Sequence, residues 1–351
     1  MTASGRPADA LHALFAPRAI AVVGASDDPA KIGGRPLAFL LRHGYPGRIY
    51  PVNPGRPAVQ GIPAFPTVGA VPDAVDLAIV VVPAERVVET LEACAAKGVR
   101  AAIVFSSGFA ETGEAGRAEQ ARMRAVAERT GLRVVGPNCQ GFAHLPSRVM
   151  AAFASGFLDD TLATGPIAVV SQSGAMAGMV YEMAKAAGLG INYWVSTGNE
   201  ADVQAAEILG VAVEDPETRV ALAYLEDVKD AARLRETLGR AHRRGVPVFV
   251  LKSGRSAEGQ PAAASHTGAL AGEDQVYGGM PAGAGGDRRG RRRGSRPSRG
   301  RRRRPPDGQG RRRELPAALR GGTHGSRRGG AGARGRGGRD RSEPGAGARA
   351  W

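Results

Sequence analysis

Between residues 17 and 142 of this 351-residue chain, short runs of Val, Ile and Ala alternate with amphipathic stretches of helical length, and the alternation resumes between 166 and 253. A strand that is apolar at consecutive positions needs cover on both faces, which a half-exposed antiparallel strand does not have. Parallel sheets flanked by helices supply that cover. The pattern therefore predicts an α/β chain. In the first half the expected strands are 19–23, 48–52, 76–82, 101–105 and 132–135, with helices over 34–43, 85–97 and 115–130. In the second they are 166–171, 191–196, 220–226 and 246–253, with helices near 173–188, 202–211 and 229–244. The small-residue connection at 153–165 separates two domains, 1–150 and 151–280. Ligands of such sheets sit at the carboxyl ends of the strands, where most of the polar and Gly-bearing loops of this chain fall.

Composition limits the partners. The formal charge of +15 would point to nucleic acid, but it is concentrated in residues 281–351, which hold 22 Arg, no Lys and five acids. That segment is +17, leaving residues 1–280 at −2. The tail has no Ile, Val, Phe, Tyr or Met, so it cannot bury enough surface to offset its ordering entropy and is expected to be disordered. Its only aromatic residue is Trp351, which gives little scope for base stacking and disfavours nucleic acid as a partner. A tract of Arg, Gly, Ala and Pro is also what GC-rich coding DNA yields out of frame. Its onset inside the patterned segment GEDQVYGGM (272–280), with no linker before it, favours a frameshift over a domain boundary. Cys94 and Cys139 stand far apart without metal-ligand spacing, which fits a reducing cytoplasm and no metal site. The apolar run LAIVVV (77–82) is strand length, so no membrane segment is expected.

The segment VVGASDDPAKIGG (22–34) leads from a strand into a helix, the setting in which free amides and the helix dipole meet a phosphate. Gly24 suits a tight turn there, or marks a plain strand-to-helix corner. A dinucleotide fingerprint would need glycine at 26 and an acid ending the second strand, and the chain has Ser26 and Asn53. NAD is therefore disfavoured. The loops FSSGF (105–109) and GPNCQG (136–141) supply further donors, with Ser106, Gly108 and Asn138 as candidates for phosphate or amide contact. No base can be assigned to Cys139, and it reads as a buried structural thiol.

In SQSGAMAG (171–178), Ser171, Ser173 and the amides near Gly174 form a second candidate phosphate loop; a plain N-cap serine is the simpler reading. In ASHTGALAG (264–272), His266 lies among small residues, as suits an imidazole nucleophile that must reach more than one reaction centre. A carboxylate on its other ring nitrogen would fix the tautomer, and Glu226, ending a central strand, is the candidate; a solvated loop acid is the alternative. His12, His43, His144, His242 and His324 read as surface residues.

In chain order, VVGASDDPAKIGG, YPVNP, VDLAIVVVPAE, VVGPNCQG, IAVVSQSGAMA, VSTGNEADV, YLEDV, VLKSGRS and ASHTGALAG resemble the α-type part of ADP-forming acyl-CoA synthetases, relatives of succinyl-CoA synthetases, from about 12 to 277. The resemblance implies a Rossmann-like CoA-binding domain followed by a flavodoxin-like ligase domain. It implies a reaction that interconverts acyl-CoA, phosphate and ADP with a carboxylic acid, CoA and ATP through an acyl phosphate and a phosphohistidine. Carried over by position, His266 matches the phosphorylated histidine, Glu226 its orienting carboxylate, and Ser171, Ser173 and Gly174 the phosphate loop. Gly24, Ser26, Asn53, Ser106, Gly108 and Asn138 fall in segments resembling the CoA site, and Glu200 and Asp202 in the TGNEADV loop. An ATP-grasp subunit or domain, handling ATP or ADP with Mg2+, would be the partner. In this family the chain beyond GEDQVY continues as a helix and a strand. A frameshift there would expose a sheet edge and make catalysis by this chain alone doubtful. A CoA-binding regulatory module without turnover is the alternative, against which the retained His266 argues.

Overall fold

The computed structural model describes Leu11 and residues 14–254. His266, the tail 281–351, His12 and His324 lie outside the described residues. The first sheet contains β1 (Ala19–Val23), β2 (Arg48–Val52), β5 (Leu77–Val80), β6 (Ala101–Val104) and β7 (Arg133–Val135), all parallel, in the order β2-β1-β5-β6-β7. A two-stranded ribbon, β3 (Ala58–Val59) and β4 (Ile62–Pro63), lies in the connection between β2 and β5. Strands β1, β5, β6 and β7 are buried along their whole length, the signature of a parallel sheet covered on both faces.

Alternate side chains divide between the two faces. Ile20, Val22, Leu77, Ile79 and Ile103 pack with Leu37 and Leu40 of α1 (Arg35–Arg42). Ala21, Val23, Ala78, Val80 and Val104 pack with Leu91 and Cys94 of α2 (Val87–Ala96) and with Met123 and Val126 of α3 (Glu114–Thr130). The α3 helix stops at Gly131, whose left-handed backbone closes the C-terminus.

The second sheet has the order β13-β12-β10-β11-β8-β9. Its parallel part is β10 (Thr164–Ser171), β11 (Ile191–Ser196), β12 (Val220–Leu225) and β13 (Val248–Lys252). Ala168, Val170, Ala221 and Ala223 face α5 (Ala205–Glu214) and α6 (Ala231–Arg243), while Val169 and Trp194 face α4 (Gly174–Ala186). The Trp194 indole donates to the Ala177 carbonyl of α4 at 2.8 Å, which satisfies the one polar atom of a fully buried ring. Among the described residues β13 ends the sheet, and its Phe249, Val250 and Leu251 are exposed beside an apolar recess of about 250 Å3.

Two features depart from the sequence reading. A hairpin of β8 (Gly141–His144) and β9 (Val149–Ala152) joins the second sheet, β8 pairing antiparallel with β11. Membership of the second sheet thus begins at Gly141, inside the 1–150 segment assigned to the first domain. His43 and His144 are also not surface residues. His43 is buried with Nε2 2.9 Å from the Phe157 carbonyl, and His144 is half-buried against Tyr193, with Nδ1 2.6 Å from the Ser147 hydroxyl. His43 Nε2 and His144 Nδ1 are thereby satisfied, whereas His144 Nε2 is buried without a hydrogen-bond partner, and burial lowers that imidazole's pKa from its ordinary value.

Candidate functional site

The parallel parts of the two sheets repeat one order. Read across either parallel part it is second, first, third, then fourth strand, so the order of succession reverses beside the first strand: between β1 and β5, and between β10 and β12. The crevice at the carboxyl end of such a switch point is where open α/β sheets hold ligands.

At the first switch point stands Gly24. Its φ is +86°, and a Cβ there would lie 2.3 Å from the Val81 carbonyl oxygen at the end of β5, so only glycine fits. The loop after it is held from within and from the β3–β4 turn: the Ser26 hydroxyl accepts from the Asp28 amide at 3.2 Å, and Gln60 Nε2, from that turn, donates to the Ser26 and Gly34 carbonyls, each at 2.9 Å. Asn53, after β2, donates from Nδ2 to the Ala25 carbonyl at 2.9 Å. Ser106, after β6, donates to the Val82 carbonyl and receives the Asn138 amide on its own carbonyl at 2.9 Å. The Gly108 amide donates to Glu111 Oε1 at 2.6 Å. The six residues carried over to the CoA site thus lie along one edge of the first sheet, at the ends of β1, β2, β6 and β7. Cys139 is buried, donates to the Val104 carbonyl, and has its thiol pushed up to about 12 by burial, as suits a structural thiol and not a nucleophile.

At the second switch point the serine loop meets Glu226. Ser171 ends β10 opposite Tyr224 of β12, two residues before Glu226. The Ser173 hydroxyl caps α4 by accepting from the Met176 amide at 3.3 Å, and Ser171 Oγ accepts from the Ser173 amide at 3.1 Å while donating to its carbonyl at 2.6 Å. The N-cap reading of Ser173 is therefore realised, and it coexists with an N-terminal turn whose first amides have no acceptor within the helix. Gly174 is pressed against Gln140: a Cβ there would meet the Gln140 side chain at 2.5 Å. The start of α4 thus sits against the chain that leaves Asn138.

Gln172, unmarked in the sequence reading, makes the junction. Its Oε1 accepts the amides of Glu226 at 2.5 Å and Asp227 at 2.9 Å, and its Nε2 donates to the Asp227 carbonyl at 3.0 Å. Lys252 adds a hydrogen bond of 2.8 Å from Nζ to the Glu226 carbonyl. Glu226 is buried, so the solvated-acid alternative does not hold.

Glu200 and Asp202 have structural partners. Glu200 Oε1 accepts from Thr197 Oγ1 at 2.8 Å and from the Ala205 amide at 2.9 Å; burial raises its carboxyl above the usual carboxylate range. Asp202 Oδ2 accepts from Arg133 Nε at 3.1 Å and from the Val134 amide at 2.9 Å.

The fold is that of a two-sheet α/β chain with a ligand crevice at the carboxyl edge of each sheet. Residues 18–145 match the family described as CoA binding domain, and residues 164–288 the succinyl-CoA ligase like flavodoxin domain. The chain is 41% identical over 271 residues to the acetate–CoA ligase [ADP-forming] I subunit alpha of Pyrococcus furiosus, covering 76% of this chain and 58% of that protein. It is 37% identical over 265 residues to the 4-hydroxybutyrate–CoA ligase [ADP-forming] of Nitrosopumilus maritimus, covering 75% of this chain and 38% of that one. The dinucleotide forming acetyl-coenzyme A synthetase 1 of Ca. Korarchaeum cryptofilum, solved in complex with phosphate and ADP, superposes with a TM-score of 0.73 at 36% identity, over 79% of this chain and 59% of that one. The chain belongs to the ADP-forming acyl-CoA synthetase family, as its α-type CoA-binding and ligase part. It spans less than two thirds of the length of these relatives. No helix among the described residues is long and apolar enough to cross a membrane.

Proposed function

We propose that this chain is the acid–thiol ligase part of an enzyme that interconverts acyl-CoA, ADP and phosphate with a carboxylic acid, CoA and ATP. CoA lies along the first sheet's edge at Gly24, Ser26, Asn53, Ser106, Gly108 and Asn138. Phosphate attacks the thioester carbonyl, CoA leaves as the thiol, and an acyl phosphate forms. The phosphoryl group then passes to the His266 imidazole, releasing the carboxylic acid. Ser171, Ser173 and the amides at Gly174 hold the phosphate, and Glu226 orients His266 and stabilises the imidazolium. An ATP-grasp subunit or domain, with Mg2+, takes the phosphoryl group on to ADP. The two half-sites correspond to two domains, about 1–150 and 151–280, with the 141–152 hairpin lent to the second domain's sheet, in a cytoplasmic protein whose Cys94 and Cys139 stay reduced.

The observation that carries this reading is the meeting of the serine loop and Glu226 across Gln172 at one switch point. It is tested by incubating the full chain with a complementary ATP-grasp subunit, Mg2+ and γ-labelled ATP. The chain is expected to take up acid-labile, base-stable phosphate, and His266→Ala to take up none. Equal labelling of the His266→Ala chain refutes the assignment.

A further inference from the structure

We infer that Asn199 is a positioning residue that holds the CoA-side loops in register with the phosphate loop. The inference rests on the proposed CoA site.

The TGNE loop (197–200) runs between the two crevices and is bonded to both. On the phosphate side, the Thr197 amide donates to the Ser171 carbonyl at 2.8 Å and the Gly198 amide to the Gln172 carbonyl at 3.2 Å. On the CoA side, the Asn199 amide donates to the Pro137 carbonyl at 2.9 Å. The Asn199 side chain is 5% exposed and reaches two of the CoA-side loops. Its Oδ1 accepts from Asn138 Nδ2 at 3.2 Å, and its Nδ2 donates to Glu111 Oε2 at 2.5 Å and to Gln120 Oε1 at 3.0 Å.

Glu111 is what makes this connection directional. Its other oxygen, Oε1, accepts the Gly108 and Phe109 amides at 2.6 and 3.2 Å, so the carboxylate fixes the turn that contains Gly108. Burial alone would push Glu111 up; the Asn199 amide and the Gly108 and Phe109 amides outweigh it and hold the carboxyl below its ordinary value. Asn199 thus donates to a charged acceptor and accepts from a neutral amide, a pairing that neither aspartate nor an apolar residue reproduces. The loops at Gly108 and Asn138 are fixed to the strand that follows the phosphate loop. A thiol bound along the first loops is thereby set at a constant distance from a phosphate bound at the second, which acyl transfer between them requires.

The test is CoA affinity of the full chain by titration calorimetry, which needs no partner subunit. Asn199→Asp sets a carboxylate against Glu111. It is expected to weaken CoA binding at least tenfold at pH 8, with the loss shrinking as the pH falls and the two carboxylates share a proton, while the wild type lacks that acid-side recovery. The double variant Asn199→Asp with Glu111→Gln restores a donor facing an acceptor and is expected to regain CoA affinity to within about threefold of wild type. A general folding defect would give neither the pH-dependent recovery nor the rescue. If Asn199→Asp binds CoA as wild type does, or if its loss is independent of pH and not rescued by Glu111→Gln, the inference is overturned. If the wild type itself does not bind CoA, it is the proposed CoA site that fails.

Discussion

Gln172 shows how much a single side chain can do between two others that attract attention. Ser171 and Ser173 are legible because a strand, a small polar turn and a helix start follow one another in sequence. The glutamine between them carries no such mark, because its partners are the amides of Glu226 and Asp227, more than fifty residues away. Those two amides are held by one carbonyl oxygen, so losing it leaves both short of an acceptor. A buried donor left unsatisfied costs about 1–3 kcal/mol. Gln172→Met, close in volume but without the amide, is therefore expected to lower unfolding stability by about 2–4 kcal/mol in urea melts. It should also impair phosphorylation of the chain by an ATP-grasp partner, since the Glu226 backbone is released. Unchanged stability would mean that the two amides find other acceptors.

At the scale of elements, the buried parallel strands were legible almost to the residue, because Val and Ile runs bounded by polar loops have one compact solution. β1, β2 and β11 match the expected limits, while α5 starts at Ala205, later than expected, because Gln204 and Glu207 form a capping box that fixes its first turn. The β8–β9 hairpin was missed because GFAHLPSRVMAA has neither a tight-turn dipeptide nor clean alternation. The site divides in the same way: the strand-end loops were legible, whereas the cross-links Gln172, Gln60 and Asn199 depend on contacts far apart in sequence. Opposite the ligand edge, Asp76 ties three strands at their amino ends. Its carboxylate accepts the Arg18 amide at 2.8 Å and Arg100 at 2.9 Å, and its carbonyl accepts the amides of Arg100 and Ala101 at 3.3 Å. Burial pushes the carboxyl up, but the Arg18 amide and the Arg100 guanidinium more than offset this and hold it below its ordinary value of 3.8. A carboxyl depressed by folding stabilises the native state above its unfolded pKa, and that contribution is lost as the pH falls through the folded one. Asp76→Asn is therefore expected to lower Tm at pH 7, by an amount equivalent to about 1 kcal/mol because both arginines are largely solvated. The difference from wild type should close as the pH falls below 3.8. A difference that stays constant down to pH 3 would show that the charge is not what matters.

Over the described molecule, the two sheets behave as one body because a single apolar cluster runs from Ile20 and Ile103 of the first, through Phe105 and Phe142, to Val170 and Ala223 of the second. A polar clasp lies beside it. Arg133 of β7 is 4% exposed at its side chain and contacts Asp202 at 3.1 Å and Glu207 of α5 at 2.9 Å, while the Val203 amide donates to the Val134 carbonyl at 3.0 Å. A guanidinium buried between two carboxylates adds little over an apolar replacement of the whole set, but removing it alone takes a counter-charge from Asp202 and one of two from Glu207, which keeps Arg233 at 2.5 Å. Arg133→Leu is therefore expected to cost about 3 kcal/mol, the lower end for breaking a buried pair. The clasp joins the two sheets, so the loss should fall on their coupling more than on either sheet. Trp194 lies in the second sheet, the other tryptophan is Trp351, and residues 1–150 have none, so in a Trp351→Phe background indole fluorescence follows the second sheet while far-ultraviolet circular dichroism follows both. In the wild type the two urea transitions are expected to coincide, as one cooperative unit requires. In Arg133→Leu they should separate, with part of the dichroism change occurring where fluorescence is still native. Coincident transitions shifted together would instead mean that the apolar cluster alone makes the two sheets unfold as one, and that the clasp contributes stability without cooperativity.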